Sequence, residues 1–373
     1  MMHRDDIQRA KRIVVKIGSS SLTAKDGQID AHMLFVLVNA IASARKEGKD
    51  VVLVTSAAIS AGMKLLGLKT RPRDLATQQA VATVGQCRLI EKYAQLFEAH
   101  QITVGQMLLT VHDVTHRTSH TNALRAFTRL FEMGVMPIVN ENDAIATQEI
   151  RFGDNDRLAA LVAHLVEADA LILLTDVDGL YTMHPSKPEA KRIAVVEDIY
   201  ALDVDTSGRG SELGSGGMKT KLDSARVAGS AGIPTVLVKA CHVAEAIAGC
   251  DVGTYFKPSG KKRPRRLLWL AHVSEIMGDV VLDAGAVHAV TKGKASLLPT
   301  GITAVHGEFY AGDPINLLNI DGNVVARGFA HYDSDMIPHL MGRTTAEIVE
   351  EFGLDFDRPV VHRDDLVVIG NEA

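Results

Sequence analysis

The feature that most constrains this chain is a repeated alternation. Short apolar runs rich in β-branched residues, IVVKI (13–17), VVLV (51–54), VMPIV (135–139), ALILL (170–174) and TVLV (235–238), recur along residues 13–238, and small or polar turns followed by helical periodicity separate them. Strands buried on both faces read as continuous apolar runs, and parallel strands need long crossovers to join them. The alternation therefore specifies βαβ units and a mostly parallel sheet with helices on both faces. In open sheets of this kind ligands collect beyond the carboxyl ends of the strands. The exits here are GSSSLT, TSAAIS, NENDAIAT and TDVDGLYT, which bring hydroxyls, carboxylates, amides and glycines from several loops. That inventory suits a polar ligand gripped at more than one point.

The chain has 373 residues, more than one core usually serves, so two domains are expected. The break falls at KPSGKKRPRR (257–266), where Pro, Gly and a basic cluster interrupt the pattern. Beyond it, GDVVLDAGAVHAV, GDPINLLNIDGNVVARGFAHYD and DRPVVHRDDLVVI carry short strands separated by G-D and D-G turn signals, the pattern of a small β-rich domain. The expected division is an α/β domain at 1–258, a basic linker at 259–275 and the β-rich domain at 276–373. KKRPRR suits either a soluble linker or contact with nucleic acid, but a formal net charge of −5 argues against broad coating of a polyanion. The first twenty residues hold no apolar signal core, and no apolar stretch approaches the roughly 18 residues a membrane helix needs. Cys87, Cys241 and Cys250 are odd in number and form no C-x-x-C. The expectation is a reduced, cytoplasmic protein with no membrane span.

Several residues are candidates for chemistry. Lys16 interrupts an apolar strand, and a buried ammonium is costly without an opposite charge; it either snorkels to water or meets an anion. Thr55 and Ser56 precede a helical pattern, where they suit N-caps or an anion at a helix start. Asn140, Glu141, Asn142 and Asp143, with Asp154, Asn155 and Asp156, concentrate acids and amides that suit an ammonium group, a pair of lysines or a water-bridged metal. GSGGMKTK (214–221) misses the P-loop pattern because Met218 separates Gly217 from Lys219, yet its glycines and helix start suit anionic oxygens. Lys219 and Lys221, two apart, point in different directions. His112, His116 and His120 recur at helical spacing without the companions of a zinc site, and TDVDGL lacks the remaining ligands of a calcium loop.

Taken in order, VVKIGSS, VTSAAISAG, GQMLLT, VNENDAIAT, GDNDRLAALVA, LLTDVDGLYT and GSGGMKTKL closely resemble the amino-acid kinase family, and within it the members that phosphorylate glutamate. SLLPTGI and VVHRDDL are similar to the PUA domain appended to those members, so the likeness covers almost the whole chain. The resemblance implies a three-layer α/β/α sandwich followed by a β-rich PUA domain. It implies ATP-dependent phosphorylation of the side-chain carboxylate of L-glutamate, the committed step toward proline, with Mg2+ carried by the ATP phosphates and no metal ligands from the protein. Carried over by motif, Lys16 and Lys221 would stabilise the migrating phosphoryl group and Asp156 would hold them. Ser56, Asn140, Asp143 and Asn155 would bind glutamate with support from Asp154. Thr175, Asp176 and the loop Ser215, Gly216, Gly217, Met218, Lys219, Thr220 and Lys221 would line the ATP site, which Lys16 also reaches. Proline as feedback inhibitor, a homo-oligomer and glutamyl phosphate reductase as a partner are further implications. Sister kinases acting on other acceptors, and RNA binding through the PUA domain, are the alternatives. One departure stands out: where the family commonly has T-S-G-A-I this chain has Ala57, which adds a Cβ where a substrate carboxylate would approach the backbone.

Overall fold

A computed structural model describes residues 4–24, 28–115, 117–145, 155–183, 189–202, 217–258, 276–293, 295–353 and 356–369. The chain divides into two compact units, Met1–Lys262 and Arg263–Ala373. The linker expected at 259–275 lies outside the described residues.

In the first unit the described strands are β1 (Arg12–Ile17), β2 (Asp50–Val54), β3 (Val104–Leu109), β4 (Met136–Glu141), β5 (Ala170–Thr175), β6 (Val195–Val196), β7 (Thr235–Lys239) and β8 (Thr254–Phe256). They form one sheet in the order β3-β4-β2-β1-β5-β7-β8-β6. Neighbours from β3 through β7 are parallel, and β8 runs antiparallel to β7. The chain runs from β1 to β2, skips one place to the edge strand β3, returns to fill in β4 between them, then crosses back over β1 to add β5 and β7. The order therefore reverses at β1, and its carboxyl end is the place where such a sheet opens a crevice. The register sets Lys16 of β1 opposite Val54 of β2 and Leu173 of β5.

The described helices are α1 (Asp5–Arg9), α2 (Ser19–Leu22), α3 (Ala31–Lys46), α4 (Ala58–Leu65) and α5 (Leu75–Glu98). They continue with α6 (Val111–Thr115), α7 (Arg117–Glu132), α8 (Asn155–Leu165), α9 (Met218–Ser230) and α10 (Val243–Ile247). Strong caps start α3 and α5: the side chains of Asp30 and Asp74 accept from the amides of Met33 and Thr77.

Side chains alternate across a strand, and β1 uses the alternation to divide core from chemistry. Ile13, Val15 and Ile17 pack in one cluster with Leu37 and Ile41 of α3, Tyr93 and Phe97 of α5, and Val243 of α10. Val14 and Lys16 face the other side, where α8 lies against β1 with each of its residues but Arg157 buried. Helices α4 and α5 cross closely enough that a Cβ on Gly62 would stand 2.0 Å from the Val81 carbonyl oxygen, and one on Gly85 1.7 Å from that of Ala58. Only glycine fits at either place, and the crossing fixes α5 above the loop that follows β2.

In the second unit β9 (Gly278–Leu282), β10 (Ile302–Gly307), β11 (Pro314–Leu318), β12 (Val324–Phe329) and β13 (Leu366–Val368) form a sheet in the order β10-β9-β11-β12-β13. β9 and β11 are parallel and the other pairs antiparallel. Val280, Leu282, Phe309, Ile315 and Leu317 anchor a core of its own. The helix Thr345–Phe352 begins with a capping box between Thr344 and Glu347. Among the described residues of the chain, no helix is long and apolar enough to cross a membrane.

Candidate active site

Two consecutive residues at the start of α8 organise the site. Asp156 is fully buried, and its carboxylate lies between two ammonium groups: Lys16 Nζ stands 2.5 Å from Oδ1 and Lys221 Nζ 2.9 Å from Oδ2. Burial pushes the Asp156 carboxyl up, but the charges of Lys16 and Lys221 and their hydrogen bonds outweigh it and hold the group well below the usual carboxylate range. Lys16 is itself only 4% exposed, so the strand lysine is an internal ion and not a snorkelling one. Lys221 comes from the first turn of α9, whose start is closed by the Thr220 hydroxyl donating to the Gly217 carbonyl at 2.8 Å. The same hydroxyl lies 3.3 Å from Asp156 Oδ2. Two cations share one carboxylate, so the cluster carries a net positive charge in a largely dehydrated place and attracts an anion.

Asn155 turns the opposite way. Its Nδ2 donates toward the Thr55 carbonyl at 2.6 Å, Ser56 Oγ at 2.8 Å and Asn140 Oδ1 at 2.9 Å. Asn140, near the end of β4, accepts the Glu141 backbone N–H on the same oxygen and donates its own Nδ2 to Gln86 Oε1 at 2.5 Å. The hydroxyl of Thr55 pairs with that of Tyr93 at 2.8 Å. Asn155 is 7% exposed, and its Oδ1 is buried without a hydrogen-bond partner among the described residues. A buried acceptor of this kind calls for a donor from a ligand.

The sequence-derived candidates thus fall into two groups at the carboxyl edge of the sheet. Lys16, Asp156 and Lys221 meet in one; Ser56, Asn140 and Asn155 meet in the other. Thr175 ends β5, buried, with its hydroxyl on Asp176 Oδ1 at 3.1 Å, while Asp176 itself is exposed. Gly217 caps α9; Met218 and Lys219 follow, with Lys219 exposed. Asp143 lies half-buried in the turn after β4. Asp154, Ser215 and Gly216 fall outside the described residues, as does His116. His112 and His120 belong to two successive helices, α6 and α7, so the stripe is not one helical face.

The N-cap reading of Thr55 and Ser56 is corrected. The cap of α4 is Ala57, with no side-chain hydrogen bond, because Thr55 is committed to Tyr93 and Ser56 to Asn155. Ala57 has φ 79° and ψ 15°, a left-handed conformation that suits glycine. Its Cβ therefore carries backbone strain as well as bulk. Gln86 and Tyr93 escaped the sequence reading. The available signal was their spacing of seven on a long helix, which puts two polar groups on one face.

Comparison with known proteins gives a coherent picture. Residues 11–239 match the model of the amino acid kinase family, and residues 278–352 that of the PUA domain. The chain is 52% identical over 370 residues to the glutamate 5-kinase of Streptomyces avermitilis, covering 98% of each chain. It is 52% identical over 372 residues to the glutamate 5-kinase of Thermobifida fusca, covering 99% of this chain and 96% of that one. Among solved structures, an isopentenyl phosphate kinase aligns with 65% of this chain and 99% of its own at 18% identity and a TM-score of 0.47.

Proposed function

The chain belongs to the amino acid kinase family, in its glutamate 5-kinase branch, and from that premise we propose that its site moves the γ-phosphoryl group of ATP to the side-chain carboxylate of L-glutamate, the first step of proline biosynthesis. The observation that carries the reading is the start of α8, where a carboxylate shared by two ammonium groups directly follows an amide whose oxygen is buried without a donor. The first group suits a phosphoryl anion, and the second an amino-acid ammonium.

The reaction needs little proton chemistry. The glutamate side chain has a reference pKa of about 4.3, so the nucleophile is already ionised at neutral pH and needs no general base. One carboxylate oxygen forms a bond to the γ-phosphorus while the bond to the bridging oxygen of ADP breaks, and the products are an acyl phosphate and ADP. What the protein supplies is position and charge. Lys16 and Lys221 neutralise the transferring group, and Asp156 keeps the two ammonium groups from repelling each other apart. Ser56, Asn140, Asp143 and Asn155 hold the acceptor. Thr175, Asp176 and the start of α9, where a helix N-terminus favours anionic oxygens, line the ATP site.

Magnesium would arrive on the ATP phosphates. Asp156, the carboxylate at the centre, is already engaged on both oxygens by lysines, and the ligands for the ion would come from the nucleotide. The bound ion would offset phosphate charge. Feedback inhibition by proline, a homo-oligomer and hand-over to a reductase are part of the same reading and rest on family likeness alone.

The test is ADP release and hydroxylamine trapping with Mg-ATP and L-glutamate, L-aspartate, N-acetyl-L-glutamate or no acceptor. Hydroxamate with glutamate alone is the expected result. Turnover with another acceptor and not with glutamate would move the protein to a sister activity.

A further inference from the structure

We propose that Gln86 of α5 is a positioning residue that sets the affinity of the amide group for the ammonium of an amino-acid acceptor; the inference rests on the glutamate-kinase reading above.

The argument follows the polarity of three carboxamides. Asn140 Oδ1 accepts the backbone N–H of Glu141 at 2.9 Å, which fixes that atom as the oxygen. Its nitrogen must then point away, and Gln86 Oε1 receives it at 2.5 Å. From the other end, the Thr55 carbonyl at 2.6 Å fixes Asn155 Nδ2 as the nitrogen, and Asn140 Oδ1 accepts from it at 2.9 Å. With its nitrogen so committed, Asn155 has to present Oδ1 on the opposite side, buried and without a partner among the described residues. An acceptor left that way is costly and is answered by a donor-rich group, as an ammonium is.

Gln86 is the end of this relay that reaches the scaffold. It follows Gly85, where α5 lies against α4, and Tyr93, seven residues further on the same helix, clamps the Thr55 hydroxyl. One helix thus holds the loop after β2 and the end of β4 in fixed relation. Without the Gln86 oxygen the Asn140 amide loses the acceptor for its nitrogen, and the orientation of Asn155 is left to the two loops alone. A neutral relay of this kind carries no charge toward the phosphoryl group, so its effect falls on the acceptor and not on ATP.

The test uses Gln86→Met, which keeps length and removes the acceptor, and Gln86→Glu, which keeps an acceptor oxygen. Gln86→Met is expected to raise the glutamate KM about tenfold, the scale of one hydrogen bond, with kcat and the ATP KM within about twofold. Gln86→Glu should stay within about threefold of the wild type. Glutarate, which lacks the ammonium, should inhibit the wild type and Gln86→Met with the same constant within about twofold. Should Gln86→Met not fold, Gln86→Asn, which withdraws the acceptor by one methylene, is expected to give the same KM rise. An unchanged glutamate KM overturns the proposal, and so does a parallel rise in the ATP KM or the glutarate constant, which would mark Gln86 as general scaffold. Wild-type protein that does not phosphorylate glutamate at all removes the functional reading and this inference with it. Wild-type turnover with an unaltered Gln86→Met removes only the inference.

Discussion

Asn155 and Asp156 are neighbours in sequence, yet they face two different kinds of site. Around Asp156 three full charges lie within 3 Å contacts, buried and net positive. Around Asn155 every partner is neutral, and the group ends in an unmet acceptor. A helix start makes this division cheap. Successive residues in its first turn point about 100° apart, so one backbone position serves two chemistries without a second loop. On the proposed reading the two halves would do different work: the ionic half would answer charge developing in the transition state, and the neutral half would recognise the resting substrate.

The largest break in that division is Asp156→Asn. It leaves two buried ammonium groups facing each other, which should cost about 3–5 kcal/mol of stability and lower kcat by more than about a thousandfold. The pH dependence has a definite sign. The folded pKa of Asp156 lies below its unfolded value of about 3.9, so its stabilisation is complete above about pH 4 and is lost as pH falls toward the folded value. Melting curves from pH 2.5 to 7 should show wild type losing stability below about pH 4, and the variant lacking that part of the loss. A variant with wild-type turnover would contradict the ionic reading.

Lys221→Ala tests the same half more gently, since Lys16 still neutralises Asp156. We expect kcat to fall about a hundredfold or more with the glutamate KM nearly unchanged; steady-state kinetics that show a KM effect alone would place Lys221 with the acceptor. Asn155→Ala sharpens the other half. The glutamate KM should rise at least about tenfold and kcat change much less. The smallest effect belongs to Ala57, which follows Ser56 as the cap of α4. Ala57→Gly removes a left-handed strain of about 1 kcal/mol and adds a backbone entropy cost of about 0.5–1 kcal/mol. A small rise in melting temperature is expected, whereas Ala57→Val should lower it clearly.

Most of the first unit was legible because its central strands are buried on both faces. β1, β2, β4, β5 and β7 are continuous apolar runs with helices between them, and the first four bring Lys16, Ser56, Asn140 and Thr175 to their carboxyl ends. β3 was not read as a strand: it is an edge strand, only its last residue is buried, and Gly105 and Gln106 dilute the pattern. β6 and β8 are two and three residues long, too short for periodicity to register. At the site, Lys16 was conspicuous as a cation in an apolar run and Asp156 as one acid among several. Their pairing was not, because 140 residues separate them and only the alternation of β1 turns Lys16 toward α8. Gln86 was hidden for the opposite reason. On a helix with many polar residues its spacing of seven from Tyr93 is a weak signal, and only the fold places it against Asn140.

The central claim is that the two halves act separately, and a double-mutant cycle on Asn155→Ala and Lys221→Ala tests it most directly. Measured as kcat/KM for glutamate, the two losses should multiply, with an interaction energy within about 0.5 kcal/mol of zero. A double variant no worse than Lys221→Ala alone would show that the two halves work as one unit and would contradict the account.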